Sequence, residues 1–157
     1  MTTPEAAPGE GIPPKEIASS GEAATEAFGR RLGRVLRAED VVYLRGRLGA
    51  GKTALARGVA VGRGAQARQV ASPTFALLHE YADPDGRIVL RHLDLYRLED
   101  SGRDLEVLGL PGSVEGAPVL VEWPNRTISG LLPPTIEVTI EAGAGEERHI
   151  SWTRSGR

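Results

Sequence analysis

The chain has 157 residues, the length of one domain with one hydrophobic core, and a short tail would still leave enough chain to bury that core. Nineteen basic against 21 acidic side chains give a formal net charge of −2, which excludes a global attraction to nucleic acid or to an anionic membrane; any RNA role must be local or act through a partner. Cysteine is absent, which excludes a disulfide framework, no apolar run approaches the ~20 residues of a membrane span, and the N-terminus lacks the order of a signal peptide, so a cytoplasmic protein is expected.

Residues 1–14 carry Pro4, Pro8, Pro13 and Pro14 among small and polar residues, with Ile12 the one large aliphatic after Met1. Such a segment buries too little to order itself, so it reads as a disordered tail before a single domain over 15–157. Ser19 and Glu22 have the spacing of a capping box, opening a helix in which Ala24, Phe28, Leu32, Val35 and Leu36 recur at helical intervals. Gly29 and Gly33 each weaken that helix by roughly 1 kcal/mol relative to Ala, so packing has to hold it. Val41-Val42-Tyr43-Leu44 follows as a buried strand.

That strand runs into Gly46-Arg47-Leu48-Gly49-Ala50-Gly51-Lys52-Thr53, a G-x-x-x-x-G-K-[ST] phosphate loop between a strand and a helix. Gly49 and Gly51 can take backbone angles that turn successive N–H groups inward, and the helix beginning near Lys52 adds the positive end of its dipole. The backbone from Gly46 through Leu48 and Ala50 to Thr53 would cradle phosphate, Lys52 would reach the β- and γ-phosphates, and the Thr53 hydroxyl would ligate Mg²⁺. With two lysines against 17 arginines in the chain, a lysine at this position is not compositional drift. The helix carries Leu55 and Val59 inward and stops near Gly62-Arg63-Gly64.

Next, Ser72-Pro73-Thr74-Phe75 places two hydroxyls on either side of a rigid proline. The runs from Phe75 to Tyr81 and from Arg87 to Asp94 flank Asp83-Pro84-Asp85-Gly86, a hairpin signal. Leu98 to Leu108 reads as a helix stopped by Gly109 and Pro111. Pro118 to Trp123 is a continuous apolar run ending in Glu122, the pattern of a central parallel strand covered on both faces. Thr135 to Ile140 alternates, as does His149 to Trp152, with Gly143-Ala144-Gly145 between them, so a terminal hairpin follows.

A phosphate loop needs a carboxylate for the metal and a group that orients the attacking water or acceptor. Asp94 and Glu122 each end a strand, where ligands sit in open α/β sheets, and topology alone does not rank them. Their plainer readings are a helix N-cap for Asp94 and a surface residue for Glu122. Tyr81, Tyr96 and Trp123 read equally well as core or rim aromatics, and His79, His92 and His149 lack metal-ligand spacing.

The phosphate loop, Ser72-Pro73-Thr74-Phe75, His79-Glu80-Tyr81, Asp94-Leu95-Tyr96-Arg97 and Glu122-Trp123 together fall in the order and spacing of one bacterial family. Over roughly residues 15–153 the chain resembles TsaE, also called YjeE, the small ATPase of tRNA threonylcarbamoyladenosine biosynthesis. Arg47 departs from the family's usual Asp, which touches that side chain's contact alone because backbone groups do the cradling. The resemblance implies an α/β, P-loop NTPase-like three-layer sandwich whose mixed sheet has a parallel core and antiparallel flanking hairpins. It implies ATP and Mg²⁺ as cofactors, with Ser72 and Thr74 in a segment that approaches the metal or γ-phosphate, Asp94 as acidic metal partner, Glu122 beside the hydrolytic water and Trp123 lining the nucleotide. It also implies slow turnover alone and action in a complex with TsaB and TsaD, with tRNA met only through that complex. Two other readings stay open: a nucleotide-gated interaction switch, and a small-molecule kinase, which would need an acceptor pocket and a basic lid. No Asn-Lys-x-Asp guanine motif occurs, an argument against a GTPase.

Overall fold

The computed structural model describes residues 12–47, 49–71, 77–96 and 115–155. Among these, seven strands form one sheet in the order β1-β7-β6-β2-β5-β4-β3. Strand β2 (Val41–Arg45) lies at its centre, parallel to β6 (Ile136–Ala142) on one side and to β5 (Val119–Glu122) on the other, and β5 is parallel to β4 (Ile88–Asp94). Antiparallel partners flank this core: β3 (Leu78–Ala82) on β4, β7 (Arg148–Arg154) on β6, and β1 (Glu16–Ser19) on β7.

Helices cover both faces, and the central strands are apolar throughout for that reason. Val42 and Leu44 of β2 and Leu120 of β5 point to one face, where they pack with Phe28 and Leu32 of α1 (Glu22–Val35) and Leu55 and Val59 of α2 (Lys52–Gly62). Val41, Tyr43, Val119 and Val121 point to the other, against Ile128 of α4 (Arg126–Leu131) and Leu132. The Tyr43 hydroxyl donates to the Leu132 carbonyl at 2.6 Å, so the one polar atom of that buried ring is satisfied. A short α3 (Ala67–Ala71) follows α2. The result is the three-layer α/β architecture expected from the sequence, with both flanking hairpins in place.

The glycines of α1 have a different role from the one their helix propensity suggests. A Cβ built on Gly29 would lie 2.3 Å from the Leu55 carbonyl oxygen and one on Gly33 2.4 Å from that of Val59; reciprocally, Gly58 and Gly62 of α2 face the carbonyls of Glu26 and Arg30 at 2.1 and 2.2 Å. Small residues at matching intervals on both helices let their backbones touch, and the propensity lost is offset by packing of α1 directly on the helix that follows the phosphate loop.

The capping box does not form. Ser19 ends β1, where it pairs with Arg148, and its hydroxyl lies 2.7 Å from that of Thr25, while α1 begins after Gly21 with no side-chain cap. Strand pairing across the chain has outcompeted a local hydrogen bond at Ser19. Of the expected tail, residues 12–14 are described: Trp152 donates its indole N–H to the Pro14 carbonyl at 3.1 Å, and Arg31 donates to that of Ile12 at 3.2 Å. Residues 1–11 and the helix expected over Leu98 to Leu108 lie outside the described residues.

At the end of the sheet away from the loop, Asp40 receives Arg154 through two bonds of 2.7 and 3.2 Å, the Thr135 hydroxyl at 2.8 Å and the Arg37 backbone N–H at 2.7 Å. Burial pushes its carboxyl upward, but the hydrogen bonds from Arg154, Arg37 and Thr135 outweigh burial and hold it below the usual carboxylate range. Among the described residues no helix is long and apolar enough to cross a membrane.

Candidate active site

The carboxyl ends of β2, β4 and β5 open on a cleft of about 460 Å³, within the ~300–1,000 Å³ span of small-molecule sites. Gly49, Gly51, Lys52 and Thr53 form its floor, and Asp94, Glu122, Tyr96 and Trp123 form one wall. Gly49 and Gly51 both hold left-handed backbone angles (φ 79° and 104°), and Gly51 is the residue on which α2 starts. A side chain at Gly51 would be strained there, and glycine lets the chain turn into α2 at the point where the helix dipole begins.

Lys52 is 6% exposed. Its ammonium donates to the Gly46 carbonyl at 2.6 Å and sits 3.1 Å from the centre of the Trp123 ring. Burial lowers its pKa, and the nearby Glu122 and Asp94 carboxylates raise it part of the way back. A buried cation holding one carbonyl and an indole face, with two carboxylates close enough to raise its pKa, has the charge and the donors to take an anionic oxygen in place of the Gly46 carbonyl.

The two carboxylates are direct cross-strand partners in the β4–β5 register, Asp94 opposite Glu122. Their environments differ. Glu122 is 7% exposed, and its Oε2 lies 2.8 Å from His92 Nε2; Asp94 is exposed in the cleft and its Oδ1 accepts the Tyr96 backbone N–H at 3.1 Å. The Thr53 hydroxyl is exposed in the same cleft. Among the described residues there is no cluster of three or more carboxylate or imidazole side chains able to hold an ion without help. One hydroxyl and one accessible carboxylate beside a phosphate nest suit Mg²⁺, which keeps waters and takes the rest of its shell from phosphate oxygens.

Trp123 follows Glu122 with φ 57°, the one non-glycine residue with positive φ among those described. That turn swings the indole off the strand and over Lys52, with the Tyr96 ring 4.9 Å away between centroids. Gly46 and Ala50 face the back of the loop, where a second hollow runs along β6 beside Arg47, Thr139 and Ile140. Leu48, Ser72 and Thr74 lie outside the described residues.

Several cleft residues escaped the sequence reading. Gly21, Glu22 and Thr25 at the start of α1 and Glu146 and Arg148 of the β6–β7 hairpin form the far wall. Arg148 donates to the carbonyls of Gly145, Glu147 and Gly49 (3.0, 2.8 and 3.4 Å), which lays a guanidinium along the edge of the nest. Apart from the capping-box spacing at Glu22, no local motif marks these residues, because the α1–α2 crossing and the β1–β7 pairing bring them to the loop.

A parallel-cored sheet with this loop, lysine and carboxylate pair at its carboxyl edge defines a phosphate-loop α/β protein. The family model for Threonylcarbamoyl adenosine biosynthesis protein TsaE matches residues 19–150, and the chain belongs to this family. It is similar to the tRNA threonylcarbamoyladenosine biosynthesis protein TsaE of Streptomyces coelicolor, 36% identical over 133 residues, covering 82% of this chain and 89% of the relative. The protein of the same name from Bacillus subtilis is 38% identical over 133 residues, covering 84% and 80%. The crystal structure of YdiB from Bacillus subtilis superposes with a TM-score of 0.65 at 30% identity, over 90% of this chain and 85% of that one.

Proposed function

We infer that the protein is a Mg²⁺-dependent ATPase that supports threonylcarbamoyladenosine modification of tRNA in the cytoplasm, working with TsaB and TsaD. The observation that carries the ATPase reading is the convergence of the buried Lys52 ammonium, the exposed Thr53 hydroxyl and the Asp94–Glu122 pair on the cleft under Gly51. Family membership carries the pathway.

In this reading the loop amides and Lys52 bind the β- and γ-phosphates, and Lys52 exchanges the Gly46 carbonyl for a phosphate oxygen. Thr53 and Asp94 would hold Mg²⁺, which would supply positive charge against the phosphate oxygens. Glu122, sheltered and held from behind by His92, orients a water for in-line attack on the γ-phosphate and takes its proton. Trp123 and Tyr96 wall the reacting end from bulk water.

Calorimetry with ATP and Mg²⁺ tests binding: Lys52→Ala is expected to abolish most of it while the fold survives, and an unchanged affinity in a folded variant refutes the assignment. A reconstituted tRNA-modification reaction lacking this component alone tests the pathway. Added wild-type protein restores the modified nucleoside and Lys52→Ala protein does not.

The retention of Lys52 beneath Trp123 also favours a nucleotide-gated switch, since phosphate binding must rearrange both. Partner binding that depends on ATP over ADP, and is unaffected by blocking hydrolysis, selects that reading.

A further inference from the structure

In the ATPase reading Glu122 orients water, and its contact with His92 bears directly on how it does so. His92 stands on β4 opposite Leu120 of β5, two residues before Asp94, on the face of the sheet that carries Glu122. Its Nε2 reaches diagonally across the strands to Glu122 Oε2 at 2.8 Å, and both side chains are largely shielded from water, at 16% and 9% exposure. An ionised carboxylate only accepts, so the hydrogen of this bond sits on Nε2. Behind His92 stands His79, its cross-strand partner on β3, whose ring stacks on Tyr81 with centroids 4.0 Å apart.

We propose that His92 is the positioning residue for Glu122. By occupying Oε2 it fixes the rotation of the carboxylate and leaves Oε1 as the oxygen that meets the attacking water. The need for such a clamp follows from the place of Glu122. It is the last residue of β5, the next residue turns away at φ 57°, and the bond to His92 is the contact that sets the plane of its buried carboxylate. A carboxylate that rotates freely beside a buried ammonium would swing toward Lys52, which already feels it. The bond to His92 opposes that swing and keeps the base apart from the phosphate-binding cation. Asp94, exposed and bonded to its own backbone neighbour, has no such partner among the described residues, in keeping with a group that rearranges when a metal arrives.

This inference rests on the ATPase reading, and the experiment separates the two. Single-turnover ATP hydrolysis and equilibrium ATP·Mg²⁺ binding are measured on the full chain for wild type, His92→Phe, His92→Gln, Glu122→Gln and the His92→Phe/Glu122→Gln double variant, with melting curves to confirm folding. Outer partners of site ligands are commonly worth about 10- to 100-fold in activity, so His92→Phe is expected to slow turnover by roughly that factor with ATP affinity within about twofold. His92→Gln, whose amide N–H can take the place of Nε2–H, is expected to recover most of the rate. In the double variant the two effects are expected not to add, because His92 acts through the group Glu122→Gln has already altered. A folded His92→Phe variant with wild-type turnover overturns the inference, as does an effect that multiplies in full on the Glu122→Gln background or a parallel loss of ATP affinity. If His92→Phe does not fold, His92→Gln alone decides: a rate as low as that of Glu122→Gln refutes hydrogen-bond positioning, and a retained rate supports it. A wild-type chain that hydrolyses no ATP, alone or with TsaB and TsaD added, overturns the ATPase reading and this inference with it, whereas a hydrolysing wild type with a full-rate His92→Phe overturns this inference alone.

Discussion

Gly58→Ala tests the crossing on which the cleft is built. The new Cβ would sit 2.1 Å from the Glu26 carbonyl oxygen and 3.0 Å from the Glu26 carbonyl carbon and the Arg30 nitrogen, all backbone atoms that no side-chain rotation can move. To restore ordinary contact the helices must part by about 1 Å, which forfeits a large part of the dispersion energy between facing atoms. The contacts that open belong to Phe28, Leu32, Leu55 and Val59, each at most 2% exposed. Overpacking typically costs ~1–3 kcal/mol, and a 2.1 Å approach to backbone belongs to the upper part of that range, ~2–3 kcal/mol. Ala recovers ~1 kcal/mol of helix propensity over Gly, so the net loss is about 1–2 kcal/mol. For a domain of this size each kcal/mol moves Tm by ~2–4 °C, and a fall of roughly 2–8 °C is expected. Gly130→Ala in α4 is the control: nothing lies within 4 Å of its Cβ, and the same substitution should leave stability unchanged or raise it by up to ~1 kcal/mol. Denaturant titration at constant m is the assay. A Gly58→Ala protein as stable as wild type, or a Gly130→Ala protein that loses as much, would refute the close-contact argument.

Asp94→Asn is expected to weaken Mg²⁺-dependent ATP binding, while Glu122→Gln keeps affinity and slows hydrolysis by about 10²- to 10⁴-fold; binding titration beside single-turnover kinetics reads both, and the reverse pattern would exchange their roles. Asp40→Asn should destabilise the fold at pH 7 and do so less as the solution is acidified. Its carboxyl is held below the ordinary value, so the wild-type advantage is fully present above the unfolded pKa and fades as pH falls through the folded one. Melting curves at pH 7 and near pH 3 should show the gap between the two proteins narrowing, and an equal gap at both would assign the effect to packing alone. Deletion of residues 1–11 should leave Tm within error, whereas deletion through Pro14 removes the acceptor of the Trp152 indole and the buried Pro13 and should lower Tm by a few degrees. Equal melting of the two truncations would show that this contact contributes nothing.

What could be read without coordinates was whatever is enforced within a few residues. The phosphate loop between Val41–Leu44 and Leu55 is of that kind, since two glycines with positive φ and a helix start are local requirements. So is the strand before Glu122, whose unbroken apolar run has to be covered on both faces, and so is the Asp83–Gly86 turn, closed by the Gly86 N–H on the Asp83 carbonyl. Asn125 carried a local signal that went unread: its side chain caps α4 by accepting the Ile128 N–H. Tertiary structure decided the rest, because it depends on which strands become neighbours. Asp94 stands opposite Glu122, and His92 reaches Glu122, through a β4–β5 pairing across nearly thirty residues of chain. Ser19 left its cap for a pairing with β7, and the same pairing brought Arg148 to the nest. The glycines of α1 read as weak points of a helix until α2 lay against them. Local rules price each residue against its own segment, whereas here the site is made by contacts between segments, and the free energy of those contacts overrode the local preference wherever the two disagreed.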